Sequence, residues 1–286
     1  MEIDTTYCLA QLAKQDRDRY LTVLAAPAGQ RDALAVLAAF NLELAKVADT
    51  VSEQMLGLIR LHWWREVLGE IAAGGPVRRH DVATALAAVV HHHHLPVEIL
   101  EQMVDARERD LAKDAALQQV GQDLAAVEAY LDATSGHLIR LGLLVGGDDR
   151  QDRLVTEGAR LAGIAYGLTG LIRACLFHAR DRRLMLPRDV LQRHGVNIDQ
   201  LFDLRRQEKL PKAIAELAAH AESRLHDLRR LRPTRRAIPA LLPAKLAALQ
   251  LERLRRHAYD LFDYRSIDGR PIDIWHLLLA RLGGRV

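Results

Sequence analysis

A chain of 286 residues with 49% hydrophobic side chains, 27% charged side chains and 9 prolines has ample apolar material for a core, which excludes intrinsic disorder over most of its length. No uncharged apolar stretch approaches the roughly 18 residues that a spanning helix needs, and Met1-Glu2-Ile3-Asp4 lacks a charged-then-apolar leader, so the expectation is a soluble, cytoplasmic protein. The net charge of +3 hides an asymmetry: residues 1–172 carry 16 Lys and Arg against 24 Asp and Glu, a net of −8, and residues 173–286 carry 24 against 13, a net of +11.

Apolar residues recur at three- and four-residue spacing, with Ala and Leu in place of β-branched side chains, so the fold class is all-α. In chain order the pattern predicts helices from Thr5 to Ala25, Gln30 to Val47, Ser52 to Ala73, His80 to His93, Pro96 to Leu111, Leu124 to Val145 and Asp152 to Ala179, with several more after Lys209. Breaks fall at Ala26-Pro27-Ala28-Gly29, Gly74-Gly75-Pro76, Leu95-Pro96, Gly146-Gly147-Asp148 and Gly195-Val196-Asn197. None is long enough to be a domain linker, so one domain over residues 1–286 is expected, its helices packed antiparallel around one core.

Cys8 and Cys175 are too few and too far apart for a disulfide framework or a zinc site and read as plain buried thiols. His91 to His94 are four consecutive imidazoles, but successive helical residues point about 100° apart and do not converge on one ion. The expectation there is a frayed, solvated helix end. Arginines at Arg229, Arg230, Arg232, Arg235 and Arg236, and again at Arg253, Arg255 and Arg256, suit a solvated helix face, an anionic membrane or an acidic partner. Nucleic acid is not expected, because no recognised nucleic-acid motif accompanies them.

Two segments carry a family resemblance. Ala39-Phe40 closes an amphipathic helix, an acidic stretch runs through Asp49 and Glu53, and Trp63-Trp64-Arg65 follows. Further on, Gly167 to Asp189 includes Leu171-Ile172-Arg173 and ends in Arg182-Arg183-x-x-Leu186-Pro187. Together these resemble the squalene/phytoene synthase family. Ile99 to Asp110, Tyr130 to Gly136, and Asp18-Arg19-Tyr20 followed by Arg31 are similar too, so the resemblance is clearest over residues 15–260. It implies the isoprenoid-synthase fold, an all-α bundle around a central cavity.

The resemblance also implies two aspartate-rich motifs, because ionising a prenyl diphosphate calls for magnesium ions and these hard cations need clustered carboxylates. Here the paired aspartates of the first motif fall on Ala45 and Lys46, leaving Asp49, and those of the second fall on Ala174 and His178. Lys46 is expected at ligand distance, where its charge repels Mg²⁺. A register-shifted set of Asp49, Glu53 and Asp181 is the alternative metal site, and Arg31 and Arg173 are candidate diphosphate-binding cations or internal salt-bridge partners.

Phe40 to Glu53 and Leu168 to Ala179 are similar to the branch of the family that contains the respiratory complex I assembly factors, regarded as catalytically degenerate. The resemblance thus implies a pseudoenzyme acting in complex I assembly, or a lipid- or isoprenoid-binding protein, with no cofactor. Implied partners are a complex I subunit or assembly intermediate and an isoprenoid or lipid ligand, with peripheral contact at the inner face of the inner membrane. The alternative is an active head-to-head prenyltransferase with Mg²⁺ at a noncanonical site.

Overall fold

A computed structural model of the chain describes residues 4–51, 53–111, 121–148 and 152–285, and among these no strand occurs. The expected helix start at Ser52 and the reading of residues 1–3 lie outside the described residues. The N-terminal half consists of α1 (Thr6–Gln15), α2 (Arg17–Ala25), α3 (Ala28–Thr50), α4 (Gln54–Ala72), α5 (Asp81–His93) and α6 (Val97–Glu108). Next come α7 (Leu124–Leu131), α8 (His137–Val145), α9 (Ala159–Arg173), α10 (Cys175–Arg180), α11 (Arg188–Arg193) and α12 (Ile198–Phe202). The chain ends with α13 (Leu210–Arg230), α14 (Ile238–Arg256), α15 (Tyr264–Ile267) and α16 (Asp273–Gly283).

Three expected helices are interrupted, each for a local reason. The helix expected from Thr5 to Ala25 breaks at Asp16, whose carboxylate accepts from the Arg19 amide at 3.1 Å and from the Arg19 guanidinium at 2.7 Å. A side chain that caps an amide competes with the helix running through it. Between α7 and α8, Asp132–Gly136 forms a π-helical turn, and Gly163 of α9 packs directly upon it. A Cβ on Gly163 would lie 2.3 Å from backbone atoms of Gly136, so the two glycines allow the backbones to touch. The third break is at Ala174 (φ −85°, ψ 3°), between α9 and α10.

The histidine run is more ordered than the expected frayed end. His91 to His93 complete the last turn of α5, His94 takes the left-handed conformation at φ 50°, and a His91 ring nitrogen lies 2.9 Å from the Ile71 carbonyl.

One large cluster of buried residues joins α7, α8, α9, α13 and α14, with Leu161, Leu168, Leu217 and Leu241 at its centre. Another joins α3 to α6 around Phe40, Leu61, Leu68 and Leu86. Leu144 of α8 packs against both. A pocket of about 50 Å³ is lined by Arg19 of α2, Leu37 of α3, Ser135 of the π turn, Tyr166 of α9 and Pro239 of α14, among others. Cys8 and Cys175 are buried and unbonded, as expected, and burial raises their thiols to about 11 and about 12.

Candidate functional site

The C-terminal end of α3 opens into a cavity of about 590 Å³. Ala48, Asp49 and Val51 form one wall, and Gln54 at the start of α4 adjoins them. Asp110 and Leu111, which follow α6, form a second wall, and Phe177, Arg180, Asp181 and Arg183 close the third. Except for Phe177, which lies within α10, these residues come from the ends of elements or the turns beside them.

Of the first-motif positions, Asp49 faces this cavity, and its Oδ1 accepts from Arg183 Nη1 at 2.7 Å. Lys46 does not share the site. It lies with Glu43, Val47 and Thr50 on another stripe of α3, lining a separate cavity of about 290 Å³ with Arg60, Trp63, Trp64 and His80. The expectation that its ammonium stands at the Asp49 site is therefore corrected: Lys46 Nζ lies 3.5 Å from Glu43 Oε1 and lines the cavity on the α4 side. Trp64 is buried, edge-on to Phe40 at 5.1 Å, and Trp63 stacks edge-on against it at 5.0 Å.

Of the second-motif positions, Ala174 sits at the break before α10 and offers a methyl group. His178 has a buried Nδ1 with no hydrogen-bond partner among the described residues. Burial, reinforced by the Arg183 charge, pulls its pKa below the ordinary 6.5 against opposing pulls from Asp49, Asp110 and Asp181, so it is held neutral near neutral pH.

Beneath the cavity lies a polar network that the sequence reading did not single out. Arg107 donates to Asp110 at 3.1 Å, to the Tyr130 hydroxyl at 2.7 Å and to Asn41 at 3.2 Å, while the Tyr130 hydroxyl donates to Asp110 at 2.8 Å. The side chains of Arg107 and Asp110 are only 13% and 4% exposed. Asp110 Oδ1 is buried and has no hydrogen-bond partner among the described residues, so one acceptor of this network is left over beside the cavity. The only signals available in sequence were the similar segments ending at Asp110 and beginning at Tyr130.

The remaining candidates divide. Asp181 shares the cavity with Asp49, and its carboxylate lies 3.8 Å from the Arg180 guanidinium. Glu53 stands exposed at the N-cap of α4, makes no side-chain cap bond and is not among the lining residues. Arg173 is bound elsewhere, donating to Asp18 at 2.5 Å and to the Ile267 carbonyl at 2.7 Å, and Asp18 also accepts from Gln250 at 2.8 Å. Arg31 lies in the first turn of α3, about 27 Å along the helix from Asp49 at 1.5 Å per residue, and donates to the Ala26 carbonyl at 3.0 Å. Asp49, Glu53 and Asp181 thus do not converge, and among the described residues no group of three or more His, Cys, Asp or Glu is placed to hold a metal ion. Nor is any described helix long and apolar enough to cross a membrane.

The comparisons with known proteins agree with this architecture. The squalene/phytoene synthase family model matches residues 12–272. The chain is 31% identical over 258 residues to a human protein named NADH dehydrogenase (ubiquinone) complex I, assembly factor 6, covering 90% of this chain and 75% of that one. It is 26% identical over 202 residues to a presqualene diphosphate synthase of Sinorhizobium fredii (strain NBRC 101917 / NGR234), covering 71% and 69%. Among solved structures, a dehydrosqualene synthase superposes with a TM-score of 0.81 at 20% identity, over 98% of this chain and 96% of that one. A squalene synthase from Alicyclobacillus acidocaldarius superposes at 0.72 and 20% identity, over 90% and 94%. At these identities the superpositions speak for the fold alone.

Proposed function

This chain belongs to the squalene/phytoene synthase family, and from that premise we propose that it is a binding protein that serves in assembling the respiratory NADH:ubiquinone oxidoreductase, without prenyl-transfer activity. The observation that carries the reading is the Asp49–Arg183 ion pair at the cavity mouth. Diphosphate departure assisted by magnesium needs several carboxylate oxygens around the ions. Here the one motif carboxylate that remains is neutralised by an arginine of the same chain, and Ala45 and Ala174 bring no oxygen at all. This donor set does not fit a magnesium cluster, and we assign the protein none. Similarity to the human assembly factor over most of the chain supports the assembly role.

On this reading the cavity takes an isoprenoid- or lipid-like ligand. The client is a subunit or assembly intermediate of the respiratory complex, met at the membrane by peripheral contact. Deleting the gene in its own host is expected to lower the amount of assembled NADH:ubiquinone oxidoreductase on native gels, and both the wild-type chain and Asp49→Ala should restore it. An unchanged complex after deletion, or an Asp49→Ala chain that folds but does not restore, contradicts the proposal.

A second reading has one observation in its favour. Asp49, Asp110 and Asp181 line the same cavity, and Asp110 keeps an unpartnered oxygen. Rotation of Arg183 away from Asp49 would free further oxygens for a head-to-head prenyltransferase, the activity named for the Sinorhizobium relative.

A further inference from the structure

Helix α16 is apolar on two faces, and only one is covered. Leu277 and Ala280 turn inward against α2 and α14, packing with Ala25, Ile238 and Leu246. On the outer side, Ile272, Trp275, Leu279 and Leu282 follow one another at three- and four-residue steps, forming a single stripe about 15 Å long at 1.5 Å per residue. They are 55%, 65%, 65% and 65% exposed.

This exposure does not come from a loosely held helix. Arg253 donates to both oxygens of Asp273 at 2.9 and 3.0 Å, with both side chains almost fully buried, and Arg281 donates to the Ala25 carbonyl at 3.1 Å. A firmly seated helix with an uncovered apolar stripe marks an interaction surface. The charge around the stripe identifies the partner. Arg270 precedes the helix and Arg285 follows it, both exposed, and the Arg235 side chain packs beside Gly284. Between residues 270 and 285 the sole carboxylate is Asp273, which is buried on Arg253. Along residues 270–285 the exposed side chains are therefore apolar ones flanked by Arg270 and Arg285, with no exposed carboxylate in that segment, the composition of a helix that lies in the plane of an anionic lipid interface.

We propose that α16 is the surface by which this protein docks on an anionic bilayer: Ile272, Trp275, Leu279 and Leu282 enter the acyl boundary, and Arg235, Arg270 and Arg285 meet lipid phosphates. This rests on the peripheral contact proposed above and gives it a surface.

Vesicle flotation of the full chain tests it. The chain should float with phosphatidylcholine vesicles containing about a third phosphatidylglycerol and bind pure phosphatidylcholine at least about tenfold more weakly. Leu279→Glu combined with Leu282→Glu should weaken anionic-vesicle binding by about tenfold or more with the thermal midpoint unchanged, since both side chains are exposed. Arg235→Ala with Arg285→Ala should remove part of the salt-sensitive component. No binding by the wild-type chain overturns the peripheral contact itself. Undiminished binding by the double glutamate variant leaves that contact standing and overturns the role of α16. A concentration-dependent dimer that the same variant abolishes also overturns it, in favour of a second copy of the chain. Restoration of the respiratory complex in the deleted host is a separate readout, so failure of the assembly reading is distinguishable from all of these.

Discussion

At the scale of single residues, the network under the cavity is where a substitution costs most. Arg107→Met leaves Asp110 buried with its main cation removed and takes a donor from Asn41, and breaking a buried pair in this way costs about 3–5 kcal/mol. The urea midpoint should fall accordingly with an unchanged slope. The Asp49–Arg183 pair is different, because the Asp49 side chain is 46% exposed, and Asp49→Ala should change stability by no more than about 1 kcal/mol. His178 predicts a pH dependence. Its folded pKa lies below the ordinary 6.5, so the unfolded chain takes up the proton more readily. The stability it contributes is present in full above pH 6.5 and is lost as pH falls through the lower, folded value. Urea titrations over that window should show a shallower fall for His178→Gln than for the wild-type chain, and an equal fall would contradict the assignment. Apart from Arg107 and Asp110, which are three residues apart, these partnerships are not legible in sequence: Asp49 and Arg183 are 134 residues apart, and Arg107 and Asn41 are 66 apart.

At the scale of elements, most helices were legible because a three- to four-residue apolar period is a local property and survives in α3, α4, α5 and α6 with ends near those expected. What escaped were interruptions inside runs whose periodicity is nearly intact. Asp16 breaks one by capping the next helix, and the π turn at Asp132–Gly136 shifts a register without disturbing the apolar spacing. The same turn makes a sharp prediction. A methyl at residue 163 meets backbone rather than a movable side chain, so Gly163→Ala should cost about 3 kcal/mol or more, read as a lowered denaturant midpoint. In α16, Asp273→Asn weakens the tie to Arg253. Hydrogen exchange should then show faster exchange of the α16 amides while those of α9 and α13 stay protected, and uniform loosening throughout the molecule would contradict that local role.

At the scale of the whole molecule, fold and family were legible from motif order, because the Phe40 to Trp64 and Gly167 to Pro187 segments carry enough identity on their own. The site was legible only in part. Motif spacing picked out Asp49 and Asp181, which share a cavity, but it placed Lys46 beside them, and that side chain pairs with Glu43 and lines another opening. Arg31 and Arg173 were chosen for their charge, which in the fold serves the Ala26 carbonyl and Asp18. On the function proposed above, the synthase fold is retained for binding and lacks a donor set for the metal-dependent step. Incubating the purified chain with labelled farnesyl and geranylgeranyl diphosphates, Mg²⁺ and NADPH, beside an active family enzyme, tests it most directly. No diphosphate release and no squalene- or phytoene-like product is expected from this chain, and such a product, abolished by Asp49→Ala, would overturn the proposal.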